Sequence, residues 1–113
     1  MNQSPLTVLA VYRVAEKSQS DFFRILLEKR AYFLKANFVT ARDPVLLRSN
    51  TNPEFLIDVF EWASEDAIER AHIDPVVLRL WSAMEDLWID GGLGLGQLPE
   101  SDEAFAGFQT IVI

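Results

Sequence analysis

The stretch Val45-Leu46-Leu47-Arg48-Ser49-Asn50-Thr51-Asn52-Pro53-Glu54-Phe55-Leu56-Ile57-Asp58-Val59-Phe60-Glu61-Trp62 decides the fold. Two β-rich apolar runs, 45–49 and 55–62, flank Asn50-Thr51-Asn52-Pro53-Glu54. Asn tolerates positive φ and Pro cannot donate to an interior ladder, so the joint is a turn and the runs are antiparallel neighbours. Equal offsets from Pro53 set Arg48 opposite Asp58, on one face with Leu56, Phe60 and Trp62. A charged pair inside apolar strands is either a cross-strand structural ion pair or a device that polarises a ligand.

Upstream, residues 6–14 form a β-rich run that is apolar on both alternating faces, the pattern of an interior strand. Ser18 or Ser20 can cap a helix over 21–36, with Asn37 as a left-handed stop. The charged face of that helix is Asp21, Arg24, Glu28 and Lys35. Its apolar arc, which includes Phe22, Phe23, Leu26, Leu27, Phe33 and Leu34, is wider than one contact with a sheet requires. Arg30 lies within the arc, where it either snorkels to water or reaches an acidic ligand.

Downstream, Ser64 with Glu65 and Asp66 opens a short helix that ends near His72, because a capping hydroxyl and two acids suit its unpaired N–H groups and dipole. Asp74-Pro75 restarts a helix, and Val77, Leu80, Trp81, Met84, Leu87 and Trp88 form its apolar stripe. Gly91-Gly92 stops it. A glycine-rich connection over 91–100 then leads to a last strand within 105–113. The order is βαββαβ, an α+β ferredoxin-like domain with an antiparallel sheet, spanning 1–113. Both helices fall on one sheet face, so the other apolar face needs a cover, and a second copy of the chain is the simplest one.

Composition narrows the function. With 113 residues, half of them hydrophobic, the chain can bury a core without staples. The absence of Cys excludes disulfides, thiolate nucleophiles and thiolate metal sites, and suits a cytoplasmic protein. A formal charge of −7 without a Lys/Arg cluster argues against nucleic acid. The run at 6–11 is too short to span a bilayer, and Met1-Asn2-Gln3-Ser4-Pro5 lacks the positive charge of a signal peptide.

Few side chains suggest chemistry. Gly91-Gly92-Leu93-Gly94-Leu95-Gly96 lacks both the spacing and the strand–loop–helix setting of a nucleotide loop. His72, the only histidine, stands three residues after Glu69, but a carboxylate-bridged metal site needs a second such pair, so no metal is expected. His72 is then a helix-end residue or a base. Trp62 is a core or a pocket aromatic, and Tyr12 offers a hydroxyl to a ligand or a base.

Phe55-Leu56-Ile57-Asp58-Val59-Phe60-Glu61-Trp62-Ala63-Ser64, followed by Ala67-Ile68 and Ala71-His72, resembles the antibiotic biosynthesis monooxygenase-like group of dimeric α+β barrels. The shared pattern is a strand ending in Glu-Trp, a Ser-capped helix, Ala-His and a second helical stretch. The resemblance implies a homodimer with sheets packed face to face and a cavity between each sheet and its own helices. It also implies one of several activities: cofactor-independent oxygenation of polycyclic aromatics, haem degradation, isomerisation or decarboxylation. The haem-degrading members use an Asn, Trp and His set, and residues 6–14 contain no Asn.

Two functions are expected from these readings. The first is an oxygenase without cofactor, in which His72 or Asp58 deprotonates a small aromatic molecule bound near Tyr12, Arg48 and Trp62. The second is a non-catalytic protein that holds a small apolar molecule in the same cavity. The cavity is expected between sheet and helices, with Trp62 and His72 at its rim.

Overall fold

The computed structural model describes residues 3–113. Strand β1 (Leu6–Arg13) leads to helix α1 (Glu16–Lys35), then to the hairpin of β2 (Val45–Ser49) and β3 (Phe55–Trp62). Helices α2 (Glu65–His72) and α3 (Pro75–Glu85) follow, then β4 (Asp90–Leu93), a 3-10 turn at Leu95–Gln97 and β5 (Phe108–Ile111). The antiparallel sheet has the order β4-β1-β3-β2-β5. Its first four strands, in the order β4-β1-β3-β2, make the ferredoxin-like βαββαβ unit expected from the sequence.

Local chemistry sets most boundaries. Asn37 adopts φ 62 just past α1, the left-handed stop. Ser64 Oγ accepts the Ala67 N–H at 3.1 Å, and Asp74 Oδ1 accepts the Val76 and Val77 N–H groups at 2.8 and 3.2 Å, with Pro75 opening α3. The start of α1 departs from expectation, because Ser18 and Ser20 lie inside the helix and Ala15 precedes it without a side-chain cap. Gln19 replaces that cap: its amide Nε2 donates to Val14 O at 3.0 Å and Pro53 O at 2.8 Å, stitching the first turn to β1 and the hairpin loop.

The glycine run is not only a connection. Asp90–Leu93 pairs with β1, and Phe108–Ile111 is a fifth strand at the opposite edge, beside β2. Pairing begins where Ile89 N–H donates to Arg13 O at 2.7 Å, and glycine is needed there. A Cβ on Gly91 would lie 2.6 Å from the Trp88 indole, and Gly92 has φ 63.

The helices cover one face of the sheet. Tyr12, Phe22, Leu26, Leu46, Leu56 and Met84 fill one end of the layer between them, and Phe33, Phe38, Trp62, Ala71 and Val77 fill the other. The opposite face is partly covered by the chain itself, contrary to the expectation of a bare face. Leu98 packs on Val11 and Ile57 as the segment after β4 crosses the sheet. Glu100 then anchors it to the hairpin loop, accepting from Ser49 Oγ at 2.8 Å and from the Asn50 and Thr51 N–H groups at 2.9 and 3.2 Å. Leu9 and Val45 remain 47% and 41% exposed on that face. Among the described residues no helix is long and apolar enough to cross a membrane.

Candidate functional site

Helix α1 presents Gln19, Phe22, Leu26, Lys29 and Phe33 as its buried stripe, at alternating spacings of three and four residues. Lys29 is therefore carried into the layer between helix and sheet. There it meets Asp58, which faces α1 from β3 and is enclosed by Ala10 on β1 and Leu46 on β2. Lys29 Nζ lies 3.2 Å from Asp58 Oδ2, with both side chains almost fully buried. Arg30 Nη2 approaches the other oxygen, Oδ1, also at 3.2 Å. The Lys29 ammonium further sits 4.1 Å from the Phe60 ring centroid and 5.0 Å from that of Phe33, where the aromatic faces replace part of its lost hydration.

These groups form part of the wall of a cavity of about 350 Å³ between α1, β3 and the segment joining α1 to β2. Leu27, Phe33, Leu34, Val39 and Phe60 make the rest of the wall largely apolar, and Thr40, Arg42, Asp43 and Glu61 stand toward its mouth. The wide apolar arc of α1 is explained in part by this cavity, since Leu27 and Leu34 belong to it. At the mouth Glu61 accepts from Thr40 Oγ1 at 2.8 Å and Arg42 Nε at 3.3 Å. The Thr40 hydrogen bond is the main cause that holds the Glu61 carboxyl below its usual pKa, against some desolvation. Burial lowers the pKa of Lys29, and the neighbouring Asp58 carboxylate only partly opposes it.

The expected site residues do not all meet. Asp58 lines the cavity. Arg48 is not its partner: the register pairs Asp58 with Leu46 and Arg48 with Leu56, because the turn is centred on Asn52 and not on Pro53. Arg48 and Asp58 share the helix-facing side of the sheet, but Arg48 Nη2 donates to Gln19 Oε1 at 2.8 Å and lines a separate, open hollow with Phe23 and Pro53. Trp62 is buried against Phe33 and Phe60 behind the cavity wall, with ring centroids 5.5 and 5.3 Å away.

His72 is exposed at the end of α2, its Nδ1 2.7 Å from Ile68 O and its ring against Trp81, so neither His72 nor Trp62 forms the cavity rim. Tyr12 stacks on Trp88 in the other half of the core. Burial raises its phenol pKa, and the Asp58 charge adds to the shift, so the hydroxyl stays protonated. Lys29 is not among the expected site residues, although a lysine inside the three-and-four stripe, opposite a strand with a buried-face aspartate, is a readable signal. Arg30, expected either to snorkel to water or to reach an acidic ligand, turns its Nη2 to Asp58.

No protein-family model and no curated protein sequence matches the chain. Solved structures do. SnoaB, a cofactor-independent oxygenase from Streptomyces nogalater, is 22% identical with a TM-score of 0.65, over 86% of this chain and 99% of that one. A candidate antibiotic biosynthesis monooxygenase from Caulobacter crescentus CB15 is 23% identical with a TM-score of 0.64, over 78% and 82% of the two chains. A conserved protein from Methanosarcina mazei Go1 is 16% identical with a TM-score of 0.66, over 78% and 85%. The chain thus has the α+β fold of the antibiotic biosynthesis monooxygenase-like proteins.

Proposed function

We propose that the chain is a cofactor-independent oxygenase acting on a small hydroxylated aromatic molecule held in the cavity between α1 and β3. The observation that carries this reading is a buried carboxylate, Asp58, set between two cations on the wall of an otherwise largely apolar cavity. The shared fold with SnoaB supports the reaction type, and the geometry supports the place.

A carboxylate has about four lone-pair sites, and Lys29 and Arg30 engage one on each oxygen, so Asp58 keeps capacity to accept a substrate proton. On that transfer the negative charge moves from Asp58 to the substrate, and Lys29 and Arg30 remain beside it to stabilise the new anion. The electron-rich anion then reduces oxygen itself. For an anthrone, a peroxide forms at the acidic carbon and breaks at its O–O bond. The proton held by Asp58 passes to the peroxide, and the remaining hydrogen on that carbon is lost as a proton while the O–O bond breaks. The departing hydroxide takes a proton to leave as water; the carbon becomes a carbonyl and no external reductant is needed. His72 has no part in this route, because it lies outside the cavity wall.

Oxygen uptake with an anthrone or dihydroxynaphthalene, in chelator and without flavin, tests the reading. One molecule of oxygen consumed for each carbonyl newly formed supports it. Binding of these molecules without uptake supports instead a non-catalytic carrier, a role favoured by the fact that both Asp58 oxygens already have partners at rest. We also propose a homodimer through the sheet face that carries Leu9 and Val45, both substantially exposed apolar residues there. Sedimentation at micromolar concentration should give twice the chain mass, and a monomer would overturn the dimer.

A further inference from the structure

The cluster of Lys29, Arg30 and Asp58 on the cavity wall does not cancel within itself. Lys29 and Arg30 bring two positive charges to the single carboxylate of Asp58. The other charged lining groups, Arg42, Asp43 and Glu61, together carry one negative charge, with Glu61 paired to Arg42 at 3.3 Å and outside the Lys29, Arg30 and Asp58 cluster. The cluster thus holds one positive charge beyond its own carboxylate, with Lys29 3%, Asp58 1% and Arg30 22% exposed. Arg30 also keeps a buried Nε–H without a hydrogen-bond partner. An unmatched charge and an unmet donor in an apolar wall are both unfavourable, and a bound anion would relieve both.

We propose that the cavity takes an aromatic acid, a molecule whose carboxylate sits beside Lys29 and Arg30 while its rings lie against Phe33, Val39 and Phe60. A cavity at the small end of the range for organic ligands limits the ring system to about two or three fused rings. The inference rests on the cavity reading above and narrows its substrate class. A hydroxyl next to the carboxylate would fall within reach of the same cluster, which places the group to be deprotonated beside Asp58.

Calorimetry with 1-hydroxy-2-naphthoate and its methyl ester tests the proposal on the unaltered chain. The acid should bind at least about tenfold more tightly than the ester, since both fill the cavity and only one carries the charge. Lys29→Met should remove most of that preference, and Asp58→Asn, which leaves two cations unopposed, should enlarge it. Because the two substitutions act in opposite directions, a general loss of structure cannot imitate the pattern. Equal affinity for acid and ester would overturn the anion assignment while leaving the cavity reading in place. Binding of neither molecule, together with no uptake of oxygen in the presence of a neutral anthrone, would overturn both.

Discussion

The ammonium of Lys29 lies 3.2 Å from the Asp58 carboxylate, although the two residues are 29 positions apart and both side chains are all but closed off from water. Burying such a pair has a desolvation cost that the attraction between the charges only partly repays, so it is poor material for stability alone. Its place on a cavity wall is better understood as chemistry. Arg30 makes the cluster asymmetric, and this asymmetry leads to the first prediction.

Asp58→Asn leaves the buried Lys29 and the half-buried Arg30 without their shared counter-charge and should cost about 3–5 kcal/mol. Lys29→Met leaves Arg30 and Asp58 as a matched pair and should cost under about 2 kcal/mol. Urea unfolding of the two variants measures the difference. If Lys29→Met were the more damaging, the cluster would not be governed by its net charge.

The lowered pKa of Lys29 gives a second test. Its charged form is lost as pH rises through a value below the ordinary 10.5, so affinity for an aromatic acid should decline before that pH is reached. Arg30 and Asp58 are the charged groups that pack against it. Titration of 1-hydroxy-2-naphthoate at rising pH should show the decline in the unaltered chain and a flat profile in Lys29→Met. A decline of equal size in both would assign it to another group.

Much of the fold is readable because its signals are local. Asn37, Ser64 and the Asp74-Pro75 pair act within a few residues, and the hairpin runs carry their own turn. The departures come from contacts distant in sequence. Gln19 starts α1 by bonding to Pro53, and Asp90–Leu93 becomes a strand because β1 offers an open edge. Likewise, the partner of Asp58 could not be found by counting from Pro53, since the ion pair crosses from strand to helix and not from strand to strand. Of the site, Asp58 was legible as a charge in an apolar strand. Lys29 is legible only once its place in the three-and-four stripe of α1 is set against Asp58 on the facing strand, a relation between distant segments.

Glu100 should make the fold sensitive to acid. Burial opposes its ionisation, but hydrogen bonds from Ser49 and from the Thr51 and Asn50 N–H groups outweigh that effect and lower its pKa. A lowered carboxyl pKa contributes stability that is fully present above the ordinary 4.5 and is lost as pH falls through the folded value. Glu100→Gln should flatten the acid limb of a stability–pH profile, and Glu100→Ala should cost about 1.5–3 kcal/mol at neutral pH. An acid limb unchanged in Glu100→Gln would move the effect elsewhere.

Gly91→Ala tests the strand that replaced the expected loop. The added methyl would meet the Trp88 ring at 2.6 Å, forcing the indole off Tyr12, with which it stacks at 5.4 Å. A loss of about 1–3 kcal/mol with a changed tryptophan emission is expected. A neutral substitution would mean that β4 does not pack against Trp88 as described.

The most direct test of the central claim compares oxygen uptake per folded molecule in Asp58→Asn and His72→Ala, with anthrone as substrate and a chelator present. Asp58 lines the cavity, and His72 stands exposed at the end of α2. The account predicts that Asp58→Asn lowers kcat at least about 100-fold, the scale of a lost general base, while His72→Ala stays within about twofold of the unaltered chain. Full activity in Asp58→Asn, or a comparable loss in His72→Ala, would contradict the assignment of the reaction to the Lys29, Arg30 and Asp58 cavity.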